Sequence, residues 1–324
     1  MRGHFVVRKL GQAIITIALI VLVNFLLFRM MPGSPERALL RSPHISAEVL
    51  AEKREQWGLD RPLIPDQLIA FVGATVQGDL GYSIKFEGER VSDVLASHLW
   101  PTVLLFGVGE VLAAVIGVAL GAYTGWRRGG PVDFFGNGFS LILYSMPYFV
   151  IGMLLLVVFG TTLGWFPGSG MLTLGGTYAS PVDQFLDFAG HFALPVTTVA
   201  IGLIGQYSIL MRSSVIDTLD EDYVITARAK GLREGAILRD HALPNALLPA
   251  VTLVAINLGY VVAGAITVEI VFNWPGLGTL TVDALSARDY PVLQGAFLLL
   301  SVTVVLANLA ADVLYGFLDP RVRT

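Results

Sequence analysis

Six apolar stretches, at residues 10–28, 101–125, 139–163, 192–211, 247–272 and 292–317, constrain this chain more than any other feature. At a rise of 1.5 Å per residue, roughly 20 apolar residues cover the ~30 Å hydrocarbon core of a bilayer. Inside that core every backbone N–H and C=O must be bonded within the segment, so helices are expected. The expected fold class is therefore an all-α membrane protein with six transmembrane helices. Composition agrees: 54% of the 324 residues are hydrophobic and 14% charged, against about 45–50% and 25% in soluble domains. An ordinary soluble enzyme is excluded. The first stretch could compete as a signal peptide, whose apolar region spans about 7–15 residues before a small-residue cleavage site. Phe28-Arg29-Met30-Met31-Pro32 offers bulky residues there, so a retained helix is expected.

Orientation follows from Lys and Arg. With a cytoplasmic N-terminus, the inner segments hold 12 of the 21 basic residues, among them Arg8, Lys9, Arg127, Arg128 and Arg212. The short outer loops 164–191 and 273–291 hold only Arg288. Eight more lie between Arg29 and Arg90 in a long outer segment, where charge weighs little on topology. Both termini are expected to be cytoplasmic. Three parts result: residues 1–31 as tail and first helix, 32–99 as an extracytoplasmic segment, and 100–324 as a five-helix core. Within the outer segment, residues 46–57 read as a short helix capped by Ser46, and Trp57, Phe71 and Tyr82 offer apolar surface to bury.

Polar residues within the spans are few. A mid-helix acid costs about 2.5–3.5 kcal/mol on insertion scales, so Glu110 and Glu269 should face a cavity or a partner helix. Gln206, Asn257 and Asn308 read as interhelical hydrogen-bond formers. Gly117, Gly121 and Gly125 recur at four-residue spacing and form a stripe that lets another helix approach. Pro147, Pro195 and Pro249 are candidate kinks.

The inner stretch 212–245 is too long and polar for a simple turn. It reads as two short helices separated by Gly231, with Ala227 and Ala229 allowing close docking and Arg228, Lys230 and Arg233 charging the exposed face. Such a projection suits a soluble partner. It contains Thr226-Ala227-Arg228-Ala229-Lys230-Gly231-Leu232, then nine residues after Gly231 ending at Asp240, then His241-Ala242-Leu243-Pro244. This spacing resembles the cytoplasmic coupling loop of ABC importer permeases: Glu-Ala-Ala, three residues, Gly, nine residues, Ile-x-Leu-Pro. Ile225, Thr226 and His241 depart from that pattern. Thr-Ala-Arg-Ala-Lys-Gly-Leu is instead similar to the dipeptide/oligopeptide/nickel permease subfamily. Glu221-Asp222-Tyr223, Asn245 to Pro249, the run Thr267 to Gly278, Arg288 to Val292 and Leu318-Asp319-Pro320-Arg321 resemble it too.

The resemblance implies a type I ABC importer permease fold and one membrane-spanning half of an ATP-driven peptide importer in the plasma (inner) membrane of a bacterium or archaeon. Nickel or another small molecule is the alternative cargo. A second homologous permease subunit, two nucleotide-binding domains and an extracytoplasmic substrate-binding protein are the implied partners. Thr226 to Leu232, with Leu243 and Pro244, would form the ATPase-coupling loop. Glu110, Gln206, Asn257 and Glu269 would be pathway or interhelical residues.

ATP and Mg are expected on the partner chains, since no G-x-x-x-x-G-K-S/T loop occurs in this one. Gly276-Leu277-Gly278 reads as an outer turn. No catalytic residue, metal site or cofactor is expected: cysteine is absent, no H-E-x-x-H or G-x-S-x-G occurs, and His191 stands alone at a predicted helix start. A net charge of −4 gives no reason to expect nucleic acid. A stand-alone secondary transporter or channel is the competing class, weakened because no inverted repeat with broken half-helices is evident.

Overall fold

The computed structural model describes residues 2–30, 62–86, 88–260 and 266–318. The predicted helix at 46–57 lies outside the described residues. Among the described residues the regular structure is helical, apart from an isolated antiparallel bridge between Tyr82 and Arg90, and residues 163–180 form a long non-helical connection. Four helices are long and apolar enough to cross a membrane: Val6–Met30, Val91–Trp126, Pro181–Leu219 and Tyr290–Ala310. A fifth span is counted when Pro131–Ser145 and Tyr148–Thr162, bent by 100°, are taken together.

The chain divides into two compact units. The first combines residues 1–101 with 276–309. It contains α1 (Arg2–Met30), α2 (Leu68–Val76), the start of α3 (Val91–Trp126), α11 (Leu277–Ala287) and most of α12 (Tyr290–Leu318). Asn24 on α1 donates to the Gln294 carbonyl at 3.2 Å, and Phe25 stacks obliquely on Phe71. Asp289, fully buried between α11 and α12, gathers the turn that precedes α3. Its carboxylate accepts from Ser83 Oγ at 2.5 Å, Ile84 N at 3.0 Å and Lys85 N at 2.9 Å. The other carboxylate oxygen accepts from Val292 N at 3.2 Å, capping α12.

The second unit combines residues 102–275 with 310–324. Its axis is α6 (Pro181–Leu219), 39 residues long and started by Ser180, whose hydroxyl accepts from the Asp183 N–H. Around it pack α3, α4 (Pro131–Ser145), α5 (Tyr148–Leu155), which continues through a π-helical turn Leu156–Thr162, α9 (Leu243–Tyr260) and α10 (Ile266–Phe272). Leu105, Leu194, Val199, Phe272 and Trp274 lie in one apolar core. The stripe on α3 carries the closest approach. A Cβ added at Gly121 would lie 2.3 Å from the Ser208 carbonyl oxygen, and one at Gly117 would lie 2.8 Å from that of Ile204. Backbone meets backbone there.

Several boundaries differ from the sequence reading. The second span begins at Val91 rather than at residue 101, with Pro101 inside the helix. Residues 91–100 are helix-compatible and bury Val91, Val94 and Leu95, and Pro is tolerated inside membrane helices. The third is not one straight rod. Pro147 lacks an N–H and biases Met146 to extended backbone, which the ψ of 126° at Met146 shows. The fourth runs well past its apolar block at both ends, so His191 lies in the body of α6 and Arg212 on it rather than in a loop. The fifth is represented by α9 and α10; residues 261–265 lie outside the described residues. Gly276 caps α11 instead of belonging to a bare turn, because Thr279 supplies a side-chain hydroxyl to the Gly276 N–H at 3.1 Å.

Gly121→Leu should overpack the α3–α6 contact by about 1–3 kcal/mol. The expected outcome is a lower unfolding temperature in detergent, whereas Gly138→Ala, where an added Cβ meets nothing within 4 Å, should hold it or raise it slightly.

Candidate functional site

The segment between α6 and α9 is built as a knob on its own small core. α6 ends at Leu219, and α7 (Asp222–Ala229) follows. Lys230 closes α7, then Gly231 turns the chain at φ +80°. α8 (Glu234–Ala236) comes next and passes through a π-helical turn, Ile237–Ala242, directly into α9. Glycine takes this left-handed conformation without a Cβ penalty.

The inward face of the knob is apolar. Val224, Ala227 and Ile237 pack with Met211, Val215 and Leu219 from α6 and with Ala242, Ala246 and Ala250 leading into and along α9. Ala227 is small because α7 lies close to its neighbours here. The outward face carries Tyr223, Ile225, Thr226, Arg228, Ala229, Lys230 and Leu232, all exposed. Three of these side chains, Tyr223, Ile225 and Leu232, are large and apolar.

Polar contacts hold the knob in shape. Arg228 forms a two-pronged pair with Glu234, at 2.7 and 3.2 Å, which bridges the Gly231 turn. Asn245 donates to the Tyr223 hydroxyl at 2.7 Å, joining α9 to α7. Arg128, after α3, grips Asp220 through two bonds of 2.8 Å. Arg212 grips Asp133 on α4, at 2.5 and 2.9 Å. The sequence reading treated Arg128 and Arg212 only as topology markers. Their partners sit 92 and 79 residues away, beyond any local spacing rule. Leu243 is half-buried against the same core, and Pro244 is exposed at the first turn of α9.

The intramembrane residues fall into two groups in the second unit. Glu110 on α3 is 2% exposed and accepts a hydrogen bond from the Tyr207 hydroxyl on α6. That hydroxyl accepts from Asn257 Nδ2 on α9 at 3.1 Å. Gln206 is the half-buried neighbour of Tyr207. Glu269 on α10 is 1% exposed and accepts from Thr102 Oγ1 at 2.7 Å. Tyr207, the hub of the first group, was missed from sequence because a tyrosine in an apolar helix carries no pattern of its own. Asn308 is exposed on α12. Among the described residues no group of three or more His, Cys, Asp or Glu is arranged to hold a metal ion.

The comparisons with known proteins bear on this arrangement. The family described as binding-protein-dependent transport system inner membrane component matches residues 117–324, and the N-terminal membrane component of such systems matches residues 2–95. The chain belongs to this ABC transporter permease family. A putative peptide permease protein of Brucella suis is 42% identical over 310 residues, covering 95% of this chain and 94% of that one. A probable peptide ABC transporter permease protein of Sinorhizobium fredii is 37% identical over 321 residues, covering 99% of both chains. The glutathione transport system permease protein of Escherichia coli K12 has the same identity and coverage. A crystal structure of an amino acid ABC transporter with histidines shares the fold, with a TM-score of 0.52 at 14% identity over 70% of this chain and 95% of that chain. The fold is thus that of a type I ABC importer permease, and the chain is a multi-pass membrane transport subunit rather than an enzyme.

Two charge pairs at the knob set a pH expectation. Arg128 holds the Asp220 carboxyl, and Arg228 the Glu234 carboxyl, below the usual carboxylate range through hydrogen bonds. A depressed folded-state pKa gives a contribution that is present above the unfolded value, near 4, and is lost as pH falls through the folded one. Hydrogen exchange across residues 220–236, corrected for intrinsic rate, should therefore match at pH 7 and pH 5 and rise below about pH 4.

Gly231→Val should strain the turn by about 1–2 kcal/mol, since a β-branched residue resists positive φ. The amount of membrane-inserted chain should stay the same while co-purification of the cognate ATPase falls several-fold.

Proposed function

We propose that this chain forms one half of the translocation pathway of an ATP-driven importer of short peptides. The observation that carries the reading is the knob around Gly231, with an apolar core that fixes it to α6 and α9 and an exposed face of Tyr223, Ile225, Leu232 and basic residues. A second homologous permease subunit would complete the pathway, and two nucleotide-binding domains would dock against Thr226, Ala227, Arg228, Ala229, Lys230, Gly231 and Leu232, with Leu243 and Pro244 at the base. Those domains would bind ATP and Mg. An extracytoplasmic binding protein would deliver the cargo, and both termini would lie in the cytoplasm beneath a bacterial inner membrane. Short peptide is the favoured cargo because relatives across the full length are named for peptide and for glutathione, a tripeptide.

Mechanically, closure of the ATPase domains would press the knobs of the two permease subunits together. Each knob is anchored to α6 and α9, so its displacement would turn that helical unit against its counterpart and alternate the access of the cavity. Hydrolysis would reverse the movement.

Reconstitution of the chain with its neighbouring permease, ATPase and binding protein tests this. Labelled di- and tripeptides should accumulate in proteoliposomes only with ATP. Uptake by this chain alone, driven by an ion gradient, would overturn the reading in favour of a secondary transporter.

A further inference from the structure

The second unit joins its helices in two different ways. α3 and α6 approach closely along Gly117, Gly121 and Gly125, where an added Cβ would meet backbone atoms of Ile204, Ser208 and Arg212 and the Cβ atoms of Tyr207, Met211 and Val215. That pair is in close contact over two helical turns. α9 meets α6 on an apolar face where Ala246 and Ala250 are buried and Leu243, Leu247, Leu253 and Val254 pack alongside. Apolar packing of this kind is non-directional, so it sets distance more firmly than axial register. Directional contact comes one helical stretch further along, where Asn257 Nδ2 donates to the Tyr207 hydroxyl and that hydroxyl donates to Glu110. The chain of bonds is directional: an amide donor, a hydroxyl that accepts once and donates once, and a terminal carboxylate acceptor. It touches α9, α6 and α3 in turn.

Asn257 also lies on the same helical run as the knob. From Glu234 the backbone is helical through Ala242 and on to Tyr260 without a break, although it passes a π-helical turn and Pro249. A push on the knob is therefore delivered along α9 to Asn257. We infer that Asn257, Tyr207 and Glu110 are positioning residues that key α9 in register with the α3–α6 pair, so that displacement of the knob moves all three helices as one body. The inference rests on the reading of the knob as the ATPase-docking element. The role of Glu110 is to accept a hydrogen bond, not to carry charge to a substrate.

Two measurements test this, and they fail separately. The first needs no partner. The chain contains no cysteine, so Asp217→Cys on α6 and Leu248→Cys on α9, both exposed, accept spin labels without background. In the full-length chain in nanodiscs, the distance distribution between the labels should be narrow and should broaden with Tyr207→Phe, which keeps the ring and removes the hydroxyl. An unchanged distribution overturns the inference whatever the transported substrate is.

The second uses the reconstituted complex and reads ATP hydrolysed per peptide imported. Tyr207→Phe and Glu110→Leu should raise that ratio roughly three- to tenfold, the span covered by one interhelical hydrogen bond. Glu110→Gln, which still accepts from Tyr207, should stay near the native ratio. A proportional fall of ATPase and uptake in all variants would reduce the cluster to ordinary structural support and overturn the inference. Damage by Glu110→Gln equal to that by Glu110→Leu would do the same, by showing that the charge is what matters.

Discussion

The contact on which the second unit depends is the approach of α3 to α6 across three glycines. Helices in lipid gain nothing from burying apolar side chains against each other that lipid would not also give. What they gain comes from packing at short range, and Gly117, Gly121 and Gly125 bring the two backbones close enough to touch Ser208 and Arg212 directly. The consequences extend outwards. With α6 fixed to α3, Arg212 is placed to grip Asp133 and hold α4, while Ser208 accepts from the Ser140 hydroxyl at 2.7 Å. Tyr207, one position before Ser208, faces Glu110 for the same reason.

The knob shows how a soluble-protein device is grafted onto a membrane helix pair. Its core is small and mostly aliphatic, and its outside is held by two Arg–carboxylate pairs of high exposure. Such pairs contribute little to stability individually. Their geometry is bidentate, however, so each fixes an orientation: Arg228–Glu234 sets the angle across Gly231, and Arg128–Asp220 ties the exit of α6 to the end of α3. What these pairs contribute is stiffness more than net stability.

Much of this was legible in the sequence because the bilayer simplifies it. Hydrophobic length located four of the six expected spans as single long helices and a fifth as a bent pair, and the Gly231 turn with its two flanking helices could be read from spacing alone. The misses have a common physical origin. Helix ends beyond the apolar block, as at both ends of α6, are set by capping and by tertiary contacts such as Arg128–Asp220, not by hydropathy. The 100° break at Pro147 falls where the sequence marked a candidate kink, although hydropathy by itself reads one apolar block there. Glu110 and Glu269 were conspicuous as acids, yet their partners Tyr207 and Thr102 sit 97 and 167 residues away. No local pattern announces such pairs.

Asp289 carries an implication about the order of events during synthesis. The turn it fastens, Ser83 to Lys85, leaves the ribosome some 204 to 206 residues ahead of it. Until that carboxylate arrives, the backbone N–H groups of Ile84 and Lys85 must be satisfied by water. An aqueous compartment is therefore the only place where this turn can wait at low cost. The fastening of this turn is then among the last steps of maturation, and a chain cut short before residue 289 would carry its earlier helices but leave that turn undone.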